Sequence, residues 1–95
     1  MFMRVTTYSM KPGSLDQAKA MLETMKNQIM AMPGMIRFTN SVNDDGSGCV
    51  VAVIESREIS EANAPAVAEA WAQFADFLTS PPEAHGYEVF ADWSN

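Results

Sequence analysis

Cys49-Val-Val-Ala-Val-Ile54 is an unbroken apolar run, and its failure to alternate decides the fold. Successive side chains of a strand point to opposite sides, so a strand with one solvated face alternates apolar and polar residues, whereas a continuous run needs cover on both faces. The run is far too short for a bilayer, which takes about 20 apolar residues as a helix. Just before it, Asp44-Asp-Gly-Ser-Gly48 reads as a hairpin loop in which Asp45-Gly46 offers the positive φ angles of a tight turn. Before the loop, Met35 to Asn43 alternates, with Ile36, Phe38, Asn40 and Val42 on one side and Met35, Arg37, Thr39 and Ser41 on the other. An antiparallel strand pair follows.

Moving outward, Leu15, Ala18, Leu22, Met25, Ile29 and Met32 recur at helical spacing. That helix opens on a Ser14-Leu-Asp-Gln17 capping box and stops at Pro33-Gly34. Residues 2 to 10, rich in aromatic and β-branched types and closed by Lys11-Pro12-Gly13, form a first strand. After the third strand, Asn63 or Ser60 caps a second helix with Pro65 in its first turn and a stripe of Val67, Trp71, Phe74, Ala75 and Leu78. Pro81-Pro82 end it, and Gly86 to Trp93 makes a fourth strand with Tyr87, Val89, Ala91 and Trp93 on one face and Glu88, Phe90 and Asp92 on the other.

The order βαββαβ predicts a ferredoxin-like α+β fold, residues 1–95 forming one domain with an antiparallel four-stranded sheet and both helices on one face. Helices cover one side only. The doubly apolar third strand, with bulk from Phe2, Tyr8 and Phe38, implies a second sheet against the first, hence a homodimer joined sheet to sheet as a dimeric α+β barrel.

Composition narrows the function. The chain has 95 residues, 47% of them hydrophobic, and six Lys and Arg against twelve Asp and Glu for a net charge of −6. Such a charge repels phosphate backbones and anionic lipid, so neither nucleic acid nor membrane is an expected partner. RNA-binding modules share the topology but expose stacking aromatics on central strands and carry basic flanks; here the third strand is aliphatic. No basic segment leads into an apolar run at the N-terminus, so a cytoplasmic location is expected. With one cysteine, Cys49, and one histidine, His85, there is no disulfide and no metal-ligand cluster; Cys49 reads as a buried strand residue. The eight methionines fall mostly on or near the first helix stripe, where they fill gaps.

Trp71-Ala-Gln-Phe-Ala-Asp-Phe-Leu-Thr-Ser-Pro-Pro-Glu-Ala-His85 gathers the candidate chemistry. Trp71 and Phe74 either pack on the sheet or wall a pocket, since the many alanines around them, Ala64 to Ala75, leave room for a planar ligand. His85 is the chain's one histidine, the residue type whose ordinary pKa lies near neutrality, and is a candidate base or else a solvated loop group. On the first strand Arg4, Thr6 and Tyr8 share a face, as do Arg37, Thr39 and Ser41 on the second. If both faces enter the dimer barrel, the arginines pair with Glu55 or Glu88, or Arg37 binds substrate.

Met32-Pro-Gly-Met-Ile-Arg37 after the first helix, the Val50 to Glu55 strand, and Trp71 to Pro81 together resemble the antibiotic-biosynthesis monooxygenase-like group of dimeric α+β barrel proteins. The resemblance implies a pocket between sheet and helices, lined by a second-helix tryptophan that Trp71 matches, where Asn, Tyr or His groups bind and deprotonate a phenolic substrate without metal or flavin. It does not extend to the haem-degrading members, which carry an asparagine where the first strand here offers Thr6, Thr7 and Tyr8, and a histidine on the helix where His85 sits behind two prolines. Nor are there polar partners one turn either side of Trp71, where Val67 and Ala75 stand. Two functions follow as expectations. One is a cofactor-independent monooxygenase for a small aromatic or polyketide-like molecule, with Trp71, Phe74 and Arg37 binding it and His85 or Tyr8 assisting proton removal. The other is a non-catalytic ligand-binding or interaction module of the same fold.

Overall fold

The structure is a computed structural model that describes residues 1–95. Strand β1 (Phe2–Ser9) pairs antiparallel with β3 (Ser47–Ile54), from Phe2 opposite Ile54 to Ser9 opposite Ser47, and on its other edge with β4 (Glu83–Glu88). Strand β2 (Met35–Val42) lines the far edge of β3, giving the order β2-β3-β1-β4. Helix α1 (Leu15–Met30) joins β1 to β2, while α2 (Arg57–Ala62), α3 (Ala64–Ala72) and a single 3-10 turn at Ala75–Phe77 join β3 to β4. This is the ferredoxin-like α+β arrangement, and the apolar Cys49–Ile54 run lies on an interior strand, as its composition predicts. No helix is long and apolar enough to cross a membrane.

Pairing register sorts every strand residue onto one of two faces. Phe2, Arg4, Thr6 and Tyr8 of β1 lie on the helix side with Val50, Ala52 and Ile54 of β3 and Phe38, Asn40 and Val42 of β2. Phe2, Tyr8 and Phe38 therefore pack under the helices rather than adding bulk for a second sheet. The opposite face carries half-buried Met3, Val5, Cys49 and Val51 and buried Val53, with no element of the chain over them.

Several local expectations are corrected. Ser14 has helical dihedrals and makes no side-chain cap; its carbonyl accepts from Ala18 N–H at 3.0 Å, so the turn ahead of α1 positions it and the capping box does not form. A bulge between Met35 and Arg37 throws Ile36 off the inner face, 48% exposed, and puts Met35 there instead. Only Gly46 of the hairpin loop has a positive φ, +89°, while Asp45 holds the loop by accepting from Ser47 N–H and Oγ–H at 2.9 and 2.6 Å. The predicted second helix is two: Ser56 caps α2 by accepting from Ile59 N–H, Ser60 is buried inside α2, and Asn63 stands at the joint. Asn63 spends its amide on a tertiary bond, donating to Pro33 O at 2.9 Å, instead of capping α3. Ala75, expected on the buried stripe, is exposed, because α3 has already ended at Ala72.

Strand β4 begins three residues earlier than expected and stops at Glu88 rather than Trp93. Its partner runs out: Glu88 is already opposite Phe2, and beyond it Val89 N–H donates to Met1 O as the last bond. Phe90 and Trp93 are left 100% and 92% exposed.

The turn after α1 shows how tightly the helical layer is seated. Met35 N–H donates to Met32 O at 3.2 Å across Pro33 and Gly34, and Gly34 sits at φ +74°, the glycine position of a type II turn. A Cβ at Gly34 would lie 2.9 Å from Ile59 Cγ2 of α2. Gly34→Ala is expected to lose about 1 to 2 kcal/mol, read as a lower denaturation midpoint at unchanged slope.

Candidate functional site

Helices α1 and α3 stand apart over the sheet and enclose a cavity of about 160 Å³. An apolar void of about 150 Å³ is large enough to take a benzene ring. The walls come from α1 (Leu15, Leu22, Met25), α3 (Val67, Trp71) and the inner face of β1 to β3 (Tyr8, Phe38, Val50), and small residues Ala18, Ala52 and Ala70 keep the space open. Apolar periodicity of both helices, which faces these side chains inward, is the origin of the lining.

Aromatic rings occupy one end. Trp71 lies 5.8 Å from Tyr8 and 6.4 Å from Phe74, centroid to centroid, the latter pair edge-on, which are the tilted arrangements that ring quadrupoles favour. Trp71 also borders a second, more open cleft with Ala72, Ala75, Thr79 and Pro81, so its indole is a partition rather than a fully packed core ring.

Tyr8 is the polar fixture of the cavity. Its hydroxyl donates to Asn40 Oδ1 at 2.6 Å. Gly48, directly opposite Tyr8 on β3, makes this possible: a Cβ there would stand 2.6 Å from both Tyr8 Cζ and Oη, so the phenol lies against bare backbone. Burial raises the Tyr8 pKa above its ordinary value, with nearby Cys49 adding to the effect. Tyr8 is therefore a neutral phenol around pH 7, suited to donating a hydrogen bond and unsuited to taking a proton. Asn40 Nδ2 donates to no protein group and is free for a ligand.

The candidate residues separate into two groups. Tyr8, Trp71 and Phe74 meet at the cavity. His85 lies elsewhere: it is on β4 rather than in a loop, exposed, opposite Val5, and on the outer face, as Gly86 under the Phe2 ring and Glu88 paired to Arg57 show for their inner-facing neighbours. Arg37, exposed and opposite Val53, is also on the outer face. Arg4 and Arg37 thus point to opposite sides of the sheet, and neither pairs with Glu55 or Glu88; Glu88 takes Arg57 at 3.5 Å. Asn40 and Lys19, the two non-hydrophobic residues among the twenty that line the cavity, have no role in the sequence reading. Asn40 was legible in principle as the lone polar residue between Phe38 and Val42 on one strand face.

Neither a family model nor a curated protein matches the chain by sequence. Solved structures do match by fold. A provisionally named antibiotic biosynthesis monooxygenase from Nitrosomonas europaea is 20% identical, with 96% of this chain and 100% of that one covered at a TM-score of 0.78. Rv0793 from Mycobacterium tuberculosis is 18% identical over 98% of each chain, TM-score 0.76. The monooxygenase from the gene ActVA-Orf6 of Streptomyces coelicolor, solved with the ligand nanaomycin D, is 22% identical over 99% of this chain and 91% of that one, TM-score 0.76. The chain has the fold of the antibiotic biosynthesis monooxygenase-like proteins along nearly its whole length.

Proposed function

We propose that the chain binds a small aromatic molecule in the cavity beside Trp71 and oxidises it with molecular oxygen, acting as a homodimer. The observation that carries this reading is the ring-sized space itself, walled by Tyr8, Trp71 and Phe74 and provided with one hydrogen-bonding pair, Tyr8 and Asn40. Likeness of fold to a monooxygenase solved with nanaomycin D supports it. For a substrate with an acidic CH₂ between aromatic rings, proton loss to solvent water at the cavity mouth leaves a carbanion that passes electrons to O₂, forms a C–O bond and takes a proton back from water to give the hydroperoxide. The hydroperoxide then loses water to leave a ketone, one oxygen atom ending in product and the other in water. Trp71 and Phe74 hold the ring, Tyr8 donates to the oxygen on which negative charge develops, and Lys19 favours the anion. The homodimer rests on the face of half-buried Met3, Val5 and Val51 and on exposed Tyr87, Phe90 and Trp93; in this reading His85 and Arg37 serve that partner-facing surface.

One observation favours a second reading, a non-catalytic binding module: no His, Asp or Glu lines the cavity, and Tyr8 is held protonated. Oxygen uptake over a panel of anthrone-like and dihydroxylated aromatics separates the two. Under the oxygenase reading uptake requires the protein, falls about tenfold or more in Trp71→Ala and Tyr8→Phe, and is unchanged in His85→Ala. Saturable quenching of tryptophan fluorescence without uptake identifies the binding module, and no response of either kind sinks both.

A further inference from the structure

We infer that Lys19 makes this cavity selective for aromatic acids, its ammonium meeting a carboxylate at the mouth while the ring enters beside Trp71; this rests on the ligand-binding reading above. Lys19 is solvent-exposed and yet lines the cavity, flanked on α1 by the inward residues Leu15, Ala18 and Leu22. A lysine at the edge of a hydrophobic surface can lay its stem along the apolar wall and keep its charge in water, and an exposed residue that lines the cavity suits that disposition.

Charge distribution gives the position its meaning. Acidic residues outnumber basic ones twelve to six in the chain. None of the twelve lines the cavity, and one of the six does. Asp16 and Glu23, three and four residues away on the same helix, are placed to neutralise it, but Lys19 forms no ion pair within 4.0 Å. The facing residues Val67, Ala70 and Trp71 of α3, and Phe74 just beyond its end, are all neutral. A ligand that buries an apolar ring here thus meets one positively charged residue in the wall and no negatively charged one. Asn40, the other non-hydrophobic wall residue, offers its free amide to a ring hydroxyl or carbonyl but carries no charge to compete.

The test is titration of tryptophan fluorescence with naphthol and with hydroxynaphthoate, ligands that share ring and hydroxyl and differ by the carboxylate. At low ionic strength hydroxynaphthoate is expected to bind about fivefold more tightly, with the preference lost at 1 M salt, where the screening length is about 3 Å. Lys19→Met, which keeps the apolar stem, is expected to equalise the two ligands by removing the roughly fivefold advantage of hydroxynaphthoate, and Lys19→Arg to retain the preference. Equal binding of both ligands to the unmodified protein, or a preference that survives Lys19→Met, overturns the role of Lys19 and leaves the cavity reading standing. If neither ligand binds, the cavity reading falls and takes this inference with it.

Discussion

Gly48→Val is expected to cost about 2 to 3 kcal/mol of folding stability and to weaken ligand binding in the cavity. Even one added carbon at residue 48 would stand 2.5 Å from Ser41 O and 2.6 Å from Tyr8 Cζ and Oη. Real side chains do not tolerate such approaches, and overpacked interiors relieve them by off-rotamer shifts that cost about 1 to 3 kcal/mol. The Ser41 carbonyl belongs to the β2–β3 pairing and has little freedom, so the phenol must yield. When it does, the 2.6 Å bond to Asn40 breaks, and the oxygen that would orient a ligand leaves its place. The measurement is a denaturation midpoint for Gly48→Val alone and in a Tyr8→Ala background. A destabilisation that shrinks in the double variant locates the clash at Tyr8. Full persistence there would assign it to the Ser41 carbonyl, and an unchanged midpoint for the single variant would mean that Tyr8 does not lie against bare backbone at all.

Val51→Asp should convert the proposed dimer to monomer while leaving the fold of each chain intact. Val51 lies at the centre of the uncovered face, opposite Val5 on β1 and Thr39 on β2, and points away from the helices. A face-to-face homodimer would bring two such carboxylates into one apolar patch, where the arginine of this face, Arg37, stands opposite Val53 rather than Val51. Burial of unpaired charge costs several kcal/mol per ion, enough for a shift of two or more decades in the dimerisation constant. Light scattering at micromolar concentration, beside far-UV circular dichroism, reads both halves of the expectation. A variant that keeps the mass of two chains would place the contact on another surface, and a monomeric unmodified protein would remove the dimer.

Much of the fold was legible because the signals are local. Turn chemistry at Pro12-Gly13, Pro33-Gly34 and Asp45-Gly46, and the apolar spacing in Leu15 to Ile29, place the first three strands and α1 within a few residues. Errors cluster where a distant partner decides. The end of β4 depends on where β1 begins, the break between α2 and α3 coincides with Asn63 bonding Pro33 thirty residues away, and Ile36 leaves its expected face because the strand pairing is bulged.

The candidate site divides in the same way. By itself the sequence determined that Val67 and Trp71 lie on one apolar helical stripe and that Tyr8 shares a strand face with Arg4 and Thr6, because helix and strand periods are properties of the backbone. Only the tertiary structure decided that this face and the Asn40 face of β2 turn toward the helices, that Gly48 makes room for the Tyr8 ring, and that His85 and Arg37 fall on the far side of the sheet. The physical reason is parity: alternation fixes which residues share a face, but strand register and the side chosen by the helices fix which face becomes the pocket.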